Sequence, residues 1–356
     1  MSDTIAAHGR ADLGSADLGS ADLGSAVGNR AARESRDARQ DGTAAAAVAA
    51  WDAPDGRRLL QLALGASWLL DAVLQGQSSM FTRAFARMLA DSASGNPAFV
   101  ASPITWSAHI IGHHVAAANL VFATVQLLLA LGIALRPTVK IALAASVAWS
   151  LAVWWLGEGL GSVLTGNASP VSGAPGAVII YALLGVLLWP ARTDRPAAFA
   201  AGRSVGAPTA RVLWLVLWGS LSFLSLQQAV RSPRGLSSMI SGMAAGEPGW
   251  LAVTDTRVGA LLARHGLAAS IVLAVTLGVI AAGVYLPTRA ARAAIVLAVF
   301  VALAIWVAEA LGGVLTGSGT DPGSGPLLAL LAVAYWPSGA VAGPAAAGRD
   351  VRRAVR

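Results

Sequence analysis

The chain has 356 residues, of which 56% are apolar and only 12% charged, with a mean hydropathy of +0.64. Soluble domains carry roughly 25% charged residues, so an ordinary soluble enzyme is excluded and a polytopic membrane protein is expected. The chain has no cysteine, which removes disulfides, iron–sulfur clusters and thiolate nucleophiles together.

The net charge of +7 is unevenly spread. Residues 1–56 hold 9 acidic residues against 5 Arg, while the remainder holds 20 basic and 9 acidic residues. Those Arg lie in short loops between apolar runs, where they set membrane orientation. They form no patch with interleaved aromatics, so no nucleic-acid partner is expected.

Met1 to about Ala50 is polar. It carries a threefold Ala-Asp-Leu-Gly-Ser repeat from Ala11 to Ser25 and a charged run from Arg30 to Asp41. Such a segment buries too little apolar surface to offset its ordering entropy. It also lacks the apolar stretch of a cleavable signal peptide. Residues 1–56 read as a disordered cytoplasmic tail.

Eight apolar runs follow, at about 59–76, 107–135, 138–157, 176–189, 212–229, 266–286, 292–311 and 326–337. Each is expected to be a transmembrane helix. The fourth and eighth hold roughly 12–15 residues against the ~20 of a full span. Long loops are expected at about 77–106 and 230–265. In the first, Phe81, Phe85, Met88 and Leu89 recur at helical spacing beside Arg83 and Arg87, which predicts a short amphipathic helix.

The second four runs repeat the first four. Trp154 to Gly166 aligns with Ile305 to Gly317 at an offset of 151, with 8 of 13 positions identical. His114 meets His265, Glu158 meets Glu309 and Pro175 meets Pro326 at the same offset. Such self-similarity marks an internal duplication. An even number of helices per unit gives both units one orientation, as in parallel repeats. The expected fold is therefore an all-α membrane protein with about eight transmembrane helices in two tandem, parallel four-helix repeats. The repeats span 57–190 and 211–340, with a cytoplasmic linker at 191–210 and a basic cytoplasmic tail at 341–356. With the N-terminus inside, the inner segments hold 19 Lys and Arg and the outer loops 6. The positive-inside rule then places both termini in the cytoplasm of a bacterial cell, and the protein in its cytoplasmic membrane as a multi-pass chain.

Ionisable groups within membrane segments are costly and are functional candidates by default. Here they are Asp71, His109, His113, His114, Glu158, His265 and Glu309. Glu158 raises a physical problem, because it follows a helix whose C-terminal dipole disfavours a carboxylate. It is expected to be protonated, paired with a cation or bound to a ligand. His114 is the natural partner, with Arg83 and Arg264 as further ones, and His265 with Glu309 repeats the arrangement. The pair serves either as a polar site for a metal, protons or a quinone, or as a structural pin between two helices. His109 and His113 share one helical face at i, i+4 and are weak metal candidates. A haem between His114 and His265 is a further arrangement the symmetry allows. Trp51, Trp106, Trp189, Trp214, Trp250 and Trp336 fall at expected helix ends and read as interfacial anchors. No Walker loop, dinucleotide fingerprint or Ser-His-Asp arrangement is recognisable.

Several segments resemble a group of uncharacterised integral membrane proteins of high-GC actinobacteria. They are Ser67-Trp68-Leu69-Leu70-Asp71 with Gln75 and Met80-Phe81, then Gly95-Asn96-Pro97, Gln126-Leu127-Leu128-Leu129, and Gly157 to Gly161 with Thr165-Gly166. The resemblance covers most of 58–190 and, more loosely, 211–337, and it implies a membrane location. Four helices per unit and a Gly/Trp-rich first helix are also distantly similar to the DoxX-like membrane proteins. That similarity implies redox or quinone chemistry and carries over no catalytic residue. The leading expectation is a redox- or quinone-linked subunit of DoxX-like type. A small-solute or ion transporter, and a structural or assembly factor of an envelope complex, are the alternatives. The lipid bilayer is the expected partner, with a quinone, a small solute or a membrane-complex subunit beside it. No cofactor is assigned.

Overall fold

The computed structural model describes residues 56–190, 198–232, 234–243, 247–317 and 319–337. The tails at 1–55 and 338–356 and the linker stretch 191–197 lie outside the described residues.

The fold is all helical, and no strand occurs among the described residues. In chain order the N-terminal part holds α1 (Gly56–Leu74), a 3₁₀ turn (Ser78–Phe81), α2 (Arg83–Asp91), α3 (Ala98–His113), α4 (Val115–Ala134), α5 (Val139–Leu156) and α6 (Ala177–Leu187). The C-terminal part holds α7 (Ala207–Arg231), α8 (Gly235–Met243), α9 (Gly249–Gly283), α10 (Thr288–Ala308) and α11 (Ser324–Ala334).

Five helices are long and apolar enough to cross a membrane: α4, α5, α7 over Ala207–Gln227, α9 and α10. Between 22% and 39% of each span is buried by protein. Apolar side chains such as Ile141 (75% exposed) and Phe300 (70% exposed) therefore face outward. In water that surface would be prohibitive. It marks the chain as a membrane protein whose solvent there is lipid. The shorter α1 carries Arg57, Arg58 and Asp71, and α3 has 16 residues. α6 and α11 have 11 residues each and rise roughly 16 Å at 1.5 Å per residue.

α6 and α11 are the most enclosed elements. One continuous apolar core holds Leu64 and Trp68 of α1, Tyr181 and Leu184 of α6, Trp214 and Trp218 of α7, and Leu328 and Leu331 of α11. Trp214 is completely buried and donates from Nε1 to the Ile280 carbonyl at 2.9 Å. The expectation of an interfacial anchor at Trp214 is thereby corrected, because an indole so placed is a core residue with its polar handle satisfied. Trp106, Trp250 and Trp336 are exposed, as anchors require. Arg58 donates to the Ile133 and Ala134 carbonyls, satisfying the last turn of α4.

Two differences from the sequence reading concern segment boundaries. The apolar run at 107–135 is two helices, broken at His114 (φ −136°, ψ 42°). The run that begins at 266 continues a helix that starts at Gly249, bent at His265 (φ −133°, ψ 22°). Hydropathy does not register a one-residue break, and it reads a polar helical stretch such as 249–265 as loop. The amphipathic helix expected near 81–89 is α2, begun by Thr82, whose side chain accepts from the Ala84 amide at 3.2 Å. Phe85 and Leu89 are buried with Met80 and Ala108.

After α5 and after α10 the backbone makes a left-handed turn of four residues. Gly159, Leu160, Gly161 and Ser162 have φ of 55°, 56°, 61° and 57°; Ala310, Leu311, Gly312 and Gly313 have 57°, 54°, 69° and 69°. Gly161 is required at its place, since a Cβ there would lie 1.9 Å from the Pro175 carbonyl oxygen. At Gly312 a Cβ would lie 2.4 Å from the Pro322 carbonyl carbon. Pro322 precedes α11 as Pro175 precedes α6, while Pro326 lies inside the first turn of α11.

Candidate functional site

A cavity of ≈ 190 Å³ opens among α1 to α6. Five helices each line it with an i, i+4 pair, the spacing that puts two side chains on one helical face. These pairs are Asp71 and Gln75, Phe85 and Leu89, Ser107 and Ile111, Phe122 and Gln126, and Trp149 and Val153. Glu158 and Val178 close one end, and Thr320 and Asp321 reach in from the loop before α11. Among the described residues that line the cavity none is Lys, Arg or His.

Asp71 is buried and accepts a hydrogen bond from the Tyr181 hydroxyl at 3.0 Å. The Tyr181 ring lies against Trp68, with centroids 4.1 Å apart, and Trp68 donates to Ser146 Oγ at 3.0 Å. Asn119 donates to the Gln75 carbonyl at 2.8 Å and ties the end of α1 to α4. Packing and second partners therefore fix the rotamers of this wall. Four residues of the lining nevertheless carry a buried polar atom with no hydrogen-bond partner: Gln75 Oε1, Gln126 Oε1, Glu158 Oε2 and Trp149 Nε1. Buried polar groups are ordinarily paired, and here four unpaired ones belong to residues around a single cavity.

Glu158 resolves the dipole problem. It leaves the C-terminal end of α5 and accepts from the Val178 amide at 3.3 Å. It thereby caps the N-terminal end of α6, where a carboxylate is favoured. Gly176 leaves the room, since a Cβ there would stand 2.1 Å from Glu158 Oε2. Glu309 does the same for α11, accepting from the Ser324 amide at 3.0 Å and from the Ser324 hydroxyl. Burial pushes the Glu309 carboxyl up to about 7, against the hydrogen bonds from Ser324. Burial, and then the Asp321 carboxylate, hold Glu158 well above the usual carboxylate range. Asp321 is raised by burial and opposed by the Gly323 amide at 2.8 Å and the Thr320 hydroxyl at 3.1 Å.

A second cavity, of ≈ 320 Å³, lies between the heads of α6 and α11 and is lined by Glu158, Glu309 and Asp321 together with Ser162, Ser172 and Ser324. Asp71 and Glu158 thus meet in the first cavity, and Glu158 and Glu309 in the second. His114 and His265 line neither and are exposed at the two backbone breaks. The hydrogen bond of Glu158 runs to α6 rather than to His114. His109 and His113 are exposed, with their Nε2 atoms 3.3 Å apart. Among the described residues no three His, Asp or Glu gather closely enough to hold a metal ion.

Sequence reasoning missed Gln126, Trp149, Tyr181 and Asp321. Gln126 had a signal, being the only amide in the last two-thirds of an apolar span. Asp321 had none, since its role depends on a contact between distant segments. That contact is explicit: Gln77 donates to the Gly319 carbonyl at 3.0 Å and Ser79 to the Gly317 carbonyl at 2.8 Å. Trp154 is a latch, donating to the Pro175 carbonyl at 2.7 Å.

Comparison of the chain with protein-family models, with curated proteins and with solved structures finds no match.

Proposed function

We propose that this protein is a multi-pass transporter of a small solute or ion. It is built from two tandem four-helix units in the cytoplasmic membrane, with both termini inside and α1, α6 and α11 completing the count of eight helices. The observation that carries the reading is a largely apolar cavity whose lining residues include Asp71, Glu158 and Asp321 and four with unpaired buried polar atoms, inside an apolar, lipid-facing bundle. Solute sites in membrane bundles are concave and polar at few points, as this one is.

The tandem reading is supported by backbone geometry. Breaks fall at His114 and His265, left-handed turns follow α5 and α10, and a glutamate caps the next helix in each case. The two units are not equivalent in chemistry. Asp71 aligns with Phe223 at an offset of 152, and Gln126 with Leu277 and Trp149 with Phe300 at 151, so the solute site belongs to the first unit. A redox or quinone role finds less support, because the histidines it would use are exposed and line neither cavity.

The test is a panel of small amines, amino acids, sugars and carboxylates added to the purified full chain in detergent, read by thermal unfolding. Uptake of any binder into proteoliposomes follows. One solute class is expected to raise the unfolding temperature, and Gln126→Leu to abolish both that shift and uptake while leaving helix content unchanged. If no class shifts the transition, or if the shift survives Gln126→Leu, the reading fails.

A further inference from the structure

We propose that the solute taken by the cavity of the first unit is a compact primary ammonium ion that also carries a hydrogen-bond acceptor. This inference rests on the transport reading above and names its substrate class.

The hydrogen-bond inventory carries the argument. Of the four unpartnered atoms of the lining residues, three accept (Gln75 Oε1, Gln126 Oε1 and Glu158 Oε2) and one donates, Trp149 Nε1. Gln75 is 4% exposed and Gln126 8%, so bulk solvent does not satisfy them. A ligand that completes the set must supply several donors and one acceptor. An ammonium group has three donors and no acceptor, and a hydroxyl or carbonyl on the same molecule answers the indole N–H.

Charge and shape point the same way. Asp71, Glu158 and Asp321 line the cavity and no cationic side chain does, so nothing on the lining would neutralise a buried anion. Phe85, Phe122 and Trp149 form an aromatic wall in which successive rings meet edge to face at 5.8 and 5.5 Å. Ring faces attract organic cations. A bare metal ion would need a tighter ring of oxygens, and the described residues gather none. At ≈ 190 Å³ the space is below the roughly 300–1,000 Å³ of drug-sized sites, so the solute is compact.

The experiment uses the full chain in detergent and three probes of matched size: ethanolamine, ethylene glycol and glycolate. Ethanolamine is expected to raise the unfolding temperature with a half-saturating concentration at least tenfold below that of either other probe. It is also expected to change tryptophan emission, and Trp149→Phe should remove that change. Asp71→Asn and Gln126→Leu should each weaken ethanolamine binding by tenfold or more. Asp321→Asn, in a loop outside the bundle, serves as a third variant should Asp71→Asn fail to fold. Tighter binding of ethylene glycol or glycolate would overturn the ammonium assignment and leave a solute site of another class. A protein that none of the three probes stabilises, with variants that melt alike in their presence, would overturn the ammonium assignment, while the transport reading stands or falls by the wider panel described above.

Discussion

Gly161→Ala offers the sharpest test of how the α5–α6 connection is held. Leu160 and Ser162 already occupy left-handed conformations on either side of it, so the conformation alone costs an alanine about 1–2 kcal/mol. What sets Gly161 apart is its contact, a Cβ 1.9 Å from the Pro175 oxygen. Ordinary contact requires about 3.5 Å, so one of the two backbones must move. Pro175 is not free to move, because its carbonyl accepts from Trp154 and the next helix is held by Glu158. Relief therefore costs the Trp154 hydrogen bond, about 1 kcal/mol, and the Glu158 cap, about 1 kcal/mol more. The total is about 3–4 kcal/mol, and at roughly 2–3 °C per kcal/mol it lowers the apparent melting temperature by about 6–12 °C. The assay is thermal unfolding in detergent, followed by tryptophan emission. Gly219→Ala is the control, since nothing lies within 4 Å of its Cβ position. Alanine there is expected to be neutral or to stabilise by about 1 kcal/mol. If Gly161→Ala melts within about 2 °C of the parent chain while the control behaves as stated, the connection is not held as argued.

Three further outcomes are expected. The Glu309 carboxyl titrates near 7 in the folded protein against about 4.5 when unfolded, so between those values the folded state binds the extra proton. Stability is then full below about pH 4.5 and falls as pH rises through 7, by an amount on the order of 3 kcal/mol at its limit. Glu158 and Asp321 act in the same direction, and melting curves between pH 5 and 8 that rise with pH would contradict this. In bilayers containing brominated lipids, Trp106→Phe should reduce the quenching of tryptophan emission and Trp214→Phe should leave it unchanged, since Trp106 is exposed and Trp214 is buried. Loss of quenching with Trp214→Phe would place that residue at the lipid boundary instead. Because the chain has no native cysteine, Ser94→Cys and Thr288→Cys report topology directly. An impermeant maleimide applied to whole cells should label the first and spare the second, and the reverse pattern would invert the orientation.

Much of the helical framework was legible in the sequence because lipid-facing helices are apolar over long windows. The runs at 138–157 and 292–311 correspond to α5 and α10 within a few residues. The short fourth and eighth runs are α6 and α11, 11 residues each. What hydropathy could not locate were features set by single dihedral angles or distant contacts. The break at His114 and the burial of Trp214 belong to that class. The candidate site was legible in part. Glu158 stands out in the sequence as a carboxylate at a helix C-terminal end, where it is disfavoured. The sequence offers cations as its partners, whereas an amide of the following helix supplies one. Asp71 was visible as a charge inside an apolar run. Asp321 was not, because nothing in the local sequence says that its loop crosses to another bundle.

That crossing has a mechanical meaning. The first unit's cavity has one wall, Thr320 and Asp321, that belongs to the other end of the chain, held down by Gln77 and Ser79. A rigid-body shift of the C-terminal helices by even a few ångströms would carry a carboxyl group out of the site and unseal it.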